Sequence, residues 1–237
     1  HQGGFIAVFD AETGHTVAIL EDEHYLSDIR TAAAGAVAAQ QLAPDEVVTA
    51  AVLGAGTQAF WQPQALHRVR PYSTLKIWSR DTARSAQLRL KLERVLPDVE
   101  IHIGATAESV VRAADVIMTA TSAREPIVHG SWLHPGQHIT ALGADDSTKA
   151  ELDDECFRRA DRVFVDSIEM AKEQGEISRW LRAGRLTVED IDGEIGDVVN
   201  GTVVGRTHHT DITIAKLVGL GVQDLVAAEM ALRARQR

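Results

Sequence analysis

The chain has 237 residues, enough for one large domain or two small ones, and 45% of them are hydrophobic, so a sizeable core is available and global disorder is excluded. A formal net charge of −10 argues against nucleic-acid binding, which needs a basic face, yet leaves small anionic ligands open, because a few local donors hold those. One cysteine, Cys156, excludes an intramolecular disulfide framework and reads as a small hydrophobe on a helix face.

No apolar run approaches the ~20 residues that span a bilayer, and no signal-peptide pattern opens the chain. A cytoplasmic enzyme or binding protein is the default. The first residue is His1 rather than methionine, so the sequence is expected to begin inside something longer.

Phe5, Ile6, Val8 and Phe9, then a turn at 10–14 closed by Gly14, then Thr16 to Leu20, predict a β-hairpin. The alanine-rich "YLSDIRTAAAGAVAAQQL" predicts a helix, with Ser27 or Asp28 as its cap. From Glu46 the pattern changes to alternating strands and helices. "VVTAAVLG", "TLKIWS", "VEIHIG", "DVIMTAT", "HITALG" and "RVFVDS" read as strands. Residues 57–68, 81–95, 106–113 and 151–159 read as the helices among them. This alternation predicts an α/β fold with crossover units and a parallel sheet covered on both faces. Helical stretches follow Ser167, then a strand in "DITIAKLVG" and a final helix ending in basic residues. Boundaries are expected near residues 42 and 205, giving segments 1–41, 42–205 and 206–237, with the last helix returning beside the first.

Gly54-Ala55-Gly56-Thr57-Gln58-Ala59 follows a strand and opens a helix. Gly54 permits the tight turn, Gly56 lets a pyrophosphate approach the backbone, and Ala59 is small enough for close strand–helix packing. The helix N-terminus would offer its free N–H groups to phosphate. Pro63 should bend or shorten that helix. At the next strand tip stand Ser79 and Arg80, with Arg84 one turn on, where an acid would bind the ribose of NAD. A hydroxyl and a guanidinium suit a 2′-phosphate, favouring NADP(H) over NAD(H); a solvated arginine is the rival reading. Thr121 would contact a nicotinamide ribose, or simply end its strand in a local turn.

Asp145 falls just past the strand "HITALG", where ligands of open parallel sheets sit. It is the candidate acid–base. Asp146 reads better as a loop acid, with itself or Ser147 capping the next helix. Lys149 would steady Asp145, neutralise phosphate, or stand in solvent. His208 and His209 are adjacent and no metal-ligand spacing appears, so no metal is expected. Glu176 and the acids at 194 and 197 read as helix-surface or helix-end charges.

"RTAAAGAVA" (30–38), "GAGTQA" (54–59), "ADVIMTATSAREPIV" (114–128), "HPGQHITALGADDSTKAELD" (134–153), "VFVDS" (163–167) and "GLGVQDLVAAE" (219–229), in that order, resemble the ornithine cyclodeaminase/mu-crystallin family. The resemblance implies a Rossmann-type doubly wound parallel sheet. It also implies a smaller α+β substrate and dimerisation domain made by both chain ends, incomplete here at the N-terminus. It implies an NAD(P)-dependent oxidoreductase moving hydride between nicotinamide and the α carbon of an amino or imino acid. The alternatives are a cyclodeaminase that recycles its NAD and a mu-crystallin-like binding protein.

By motif, Asp145 corresponds to the catalytic acid–base and Arg30 to an arginine near the substrate carboxylate and cofactor phosphate. Thr57 and Gln58 match pyrophosphate-loop contacts. Thr121, Leu142 to Asp145 and Lys149 match the nicotinamide side, and Val218 the substrate side. "IWSRDT" resembles the NADPH-using members. Two departures stand out. The family's segment ahead of "HQGG", which supplies a second arginine and a lysine, does not occur in the sequence. Leu217 stands where a serine is usual and makes the pocket more apolar. A homodimer taking a small amino or imino acid is implied, with no nucleic acid or membrane partner.

Overall fold

The structure, a computed structural model, describes residues 4–235. Gly3 of the expected hairpin segment and the last two residues of the expected final helix lie outside them. The hairpin forms from β1 (Phe5–Phe9) and β2 (Thr16–Glu21), which pair antiparallel. Asp10 Oδ1 accepts from the Glu12 and Thr13 amides and fixes the turn. One face of the hairpin leaves Phe5, Phe9, Val17 and Ile19 exposed.

Helix α1 (Tyr25–Leu42) corrects the expected cap. It starts before Ser27 and Asp28, and the Leu26 amide donates to Asp22 instead. The chain then runs through β3 (Thr49–Leu53), α2 (Thr57–Val69), β4 (Thr74–Trp78), α3 (Thr82–Val95), β5 (Glu100–Ile103), α4 (Ala107–Val111), β6 (Val116–Thr119) and β7 (His138–Ala141). After these come α5 (Asp154–Arg159), β8 (Arg162–Val165), α6 (Ile168–Glu173), α7 (Gly175–Arg182), β9 (Gly193–Glu194), α8 (Ile195–Val199), β10 (Thr213–Lys216) and α9 (Gly221–Arg235).

Strands β3 to β10 form one parallel sheet in the order β5-β4-β3-β6-β7-β10-β8-β9. Side chains alternate across it. Ala50 and Val52 face Leu75, Ile77, Leu88 and Leu92 on one side. Ala51 and Leu53 join Ile117, Ile139 and Val111 on the other. Both faces are therefore covered, as the near-continuous apolar strands predict. Chain order reverses at β3, whose neighbours are β4 and β6. That switch point opens a crevice at the carboxyl ends of the strands.

Several expectations need correction. Pro63 does not shorten α2, which runs six residues beyond it. Burial of Gln62, Pro63 and Leu66 against neighbouring elements offsets the missing backbone donor. The helix expected over 151–159 begins at Asp154, because the Asp153 carboxylate caps it at the Cys156 amide. Residues 193–194, expected to be helical, add an edge strand. Of the segment 206–237, α9 packs beside α1 as expected, but β10 lies inside the parallel sheet, between β7 and β8.

Candidate active site

The glycine loop builds the first cleft. The Gly54 amide donates to Trp78 O, and its φ of 132° suits glycine. A Cβ there would lie 2.3 Å from Ala120 O, so the loop and the end of β6 touch. Beside this contact opens a cleft of about 530 Å³ bounded by Gly54–Gly56, Trp78–Asp81, Arg84 and Ala120–Ala123. The predicted Gly54, Gly56, Ser79, Arg80 and Thr121 all line it.

The first turn of α2 is open. Gly56 offers no side chain to cap its N–H groups, whereas Asp81, Thr106, Asp153 and Ser167 cap α3, α4, α5 and α6. Uncapped donors and the positive end of a helix dipole fit a phosphate. The residues of this cleft therefore suit a dinucleotide. Thr57 is exposed on that turn, in an adjoining groove with Arg84 and Lys91. Arg80, just past β4, and Arg84, in the first turn of α3, are both exposed. Ser79 is engaged locally, its Oγ donating to Asp81 O at 2.7 Å and sharing a bond with Ser85.

A second, smaller cleft of about 220 Å³ lies at the same edge of the sheet. Arg30, Gln58, Leu142, Asp145 and Val218, all predicted from sequence, line it. The Gln58 amide nitrogen turns toward α1 and donates to the Asp28 carbonyl and carboxylate. The Arg30 guanidinium makes three contacts here: Asp224 at 3.0 Å, Gln223 at 3.0 Å and Ser27 at 3.2 Å.

The Asp145 side chain is 56% exposed, and its Oδ1 accepts from Lys149 Nζ at 2.5 Å. That hydrogen bond, with the neighbouring carboxylates, pushes the Lys149 pKa up and keeps it cationic. Asp146 departs from the capping role: its Oδ1 accepts from the Thr148 amide and hydroxyl, closing a local turn.

The sequence reading missed two buried carboxylates and misplaced a third. Asp166, at the end of β8, lines the smaller cleft and accepts from the Val218 and Gly219 amides at 2.9 and 2.6 Å. Burial raises its pKa against the pull of those two amides. The strand-end argument that selects Asp145 applies to it equally. Glu176 is not a surface charge: it is fully buried, with Lys216 Nζ 3.1 Å from its Oε2. Burial raises its pKa, and Lys216 opposes the rise. Glu151 is also fully buried, among the hydrogen-bond donors of Thr119, Thr121 and Gly143. Among the described residues no three His, Cys, Asp or Glu side chains cluster as metal ligands, and no helix is long and apolar enough to cross a membrane.

Comparison with known proteins places this geometry. A model of the ornithine cyclodeaminase/mu-crystallin family matches residues 2–235. An uncharacterised cyclodeaminase of Sinorhizobium fredii is 40% identical over 237 residues, covering 99% of this chain and 71% of that protein. The Δ1-pyrroline-2-carboxylate reductase of Thermococcus litoralis, solved with NADH and L-proline, superposes with a TM-score of 0.90 at 30% identity, over 95% of this chain and 69% of that one. An archaeal alanine dehydrogenase dimer with bound NAD superposes with a TM-score of 0.89 at 33% identity, over 96% and 69%.

Proposed function

The chain belongs to the ornithine cyclodeaminase/mu-crystallin family of NAD(P)-dependent enzymes, and from that premise we propose that it interconverts an α-imino acid and the corresponding α-amino acid. The observation that carries this reading is the pair of clefts at one sheet edge: one fits a dinucleotide, and the other is lined by a carboxyl and a guanidinium. A nicotinamide cofactor bound in the first cleft would supply or take up hydride. The N–H groups opening α2 would hold its pyrophosphate, and Thr121 would lie at its nicotinamide end. Asp145 moves a proton to or from the substrate nitrogen. Lys149 holds that carboxyl in place, and Arg30 binds the substrate carboxylate.

NADP(H) is the favoured cofactor in this reading, because Arg80 and Arg84 stand where an acid would bind an unphosphorylated ribose. A homodimer is proposed through the exposed face of the hairpin, and a cytoplasmic location is proposed with it. Cyclodeamination is the second reading, favoured by the cyclodeaminase relative. It would show no net cofactor consumption, because the hydride returns within a turnover.

Asp145→Asn tests the assignment. Its turnover of cyclic and linear α-imino acids should fall about 10²- to 10⁴-fold. Titration of cofactor fluorescence should give unchanged affinity. An Asp145→Asn protein that turns over at the native rate would refute the proton-transfer role.

A further inference from the structure

The loop bearing Asp145 is strapped at both ends to the segment that lines the dinucleotide cleft. The Leu142 amide donates to Thr119 O at 3.1 Å, and the Ala150 amide to Ala123 O at 2.9 Å. Between these straps sits the Glu151 carboxylate. Its Oε1 accepts from the Thr121 amide at 2.6 Å and the Thr121 hydroxyl at 2.8 Å. Its Oε2 accepts from the Thr119 hydroxyl at 2.7 Å and the Gly143 amide at 2.7 Å. One carboxylate thus satisfies two backbone donors and two hydroxyls from the ends of two neighbouring strands. Its own carbonyl accepts from the Ile127 and Val128 amides, so its backbone is anchored as well. The approach is close: a Cβ on Gly143 would lie 2.2 Å from Thr121 O and 2.4 Å from Glu151 Oε1.

We infer that Glu151 is a positioning residue: it sets the spacing between Thr121, at the cofactor cleft, and Asp145, two residues beyond Gly143. The inference rests on the function proposed above. A fully buried carboxylate is costly to desolvate unless hydrogen bonds compensate. Here four donors compensate it, and they come from the two segments whose separation the reaction depends on. Glutamine is nearly isosteric, but its amide group would present N–H toward a partner that also donates. One of the two strand ends must then let go.

The experiment compares the native protein, Asp145→Asn, Glu151→Gln and Thr119→Val. In Glu151→Gln, amide hydrogen exchange should quicken at Thr121 and Gly143 and stay native in β3 and β4. Cofactor affinity should stay within about threefold, while kcat falls about a hundredfold, the scale of a reacting group misplaced by about 1 Å. A 4-deuterated reduced cofactor should give a larger isotope effect on kcat than in the native protein. Thr119→Val keeps the carboxylate and removes one donor, so it remains informative if Glu151→Gln does not fold; its kcat should fall about tenfold at native cofactor affinity.

Native kcat in a folded Glu151→Gln or Thr119→Val would overturn the inference. So would a loss of rate that only tracks the folded fraction or the loss of cofactor affinity. Absence of turnover by the native protein, or full turnover by Asp145→Asn, would instead strike the functional reading itself, and the inference would fall with it.

Discussion

Lys216 Nζ lies 3.1 Å from Glu176 Oε2, and neither side chain reaches solvent. The ammonium also approaches Ala141 O at 3.5 Å, at the end of the strand that leads to Asp145. Gly175 packs on the same loop, where a Cβ would lie 2.9 Å from both Ala144 O and Lys216 Cε. The pair therefore supports the Asp145 loop from the side opposite the cofactor cleft.

Removing either charge leaves the other buried and unpaired. Lys216→Met and Glu176→Leu should each cost about 3–5 kcal/mol in urea unfolding. The double variant should cost less than either one. Additive losses in this cycle would show that the two groups do not stabilise one another.

Arg30 is held by Asp224, a residue 194 positions later in the chain. Under the proposed function its remaining donors meet the substrate carboxylate. Arg30→Gln should raise KM about tenfold to a hundredfold, the worth of a charge-assisted hydrogen bond. Steady-state kinetics on an imino acid and on its decarboxylated analogue would check this. The analogue should be insensitive to the change.

Under the proposed function, cofactor choice is made just past the end of β4. Arg80→Ala should weaken NADPH about tenfold and leave NADH unchanged, because only the former carries the extra phosphate. Parallel fluorescence titrations would settle the preference. Equal weakening of both would place Arg80 outside the 2′-phosphate site.

His138 lies fully buried in β7, with Nδ1 2.8 Å from Thr213 Oγ1 and Nε2 2.9 Å from Thr140 Oγ1. Burial, with repulsion from Arg206, lowers its pKa from 6.5 to about 3. The unfolded chain therefore takes up this proton from about pH 6.5 downward, while the folded chain resists. The stability it contributes is present above pH 6.5 and is lost as pH falls toward 3. Thermal melts at pH 8, 6.5 and 5 should show a falling midpoint below 6.5. His138→Gln should flatten that slope, and an unchanged slope would assign the effect to other groups.

Much of the fold was legible because its strands are near-continuous apolar runs separated by amphipathic helices and glycine turns. Gly54, Gly56 and Asp145 could be singled out for the same reason: each follows the end of a strand, a position that sequence periodicity locates. The buried ions were not legible. Glu151 sits in "KAELDDE" among acids that look like surface residues, and only the approach of two strand ends makes it a shared acceptor. Glu176 and Lys216 are 40 residues apart, and no local pattern links them. The cap of α1 was missed because Asp22 acts from outside the alanine-rich stretch. The place of β10 was missed because neighbours in the sheet are not neighbours in the chain.

The insertion of β10 between β7 and β8 bears on how the chain is made. Synthesis delivers β7 and β8 to the ribosome exit well before the strand that must lie between them. Until it arrives, each presents a bare hydrogen-bonding edge open to mispairing. The nascent protein thus passes through a stage in which two interior edges of its sheet are still unpaired.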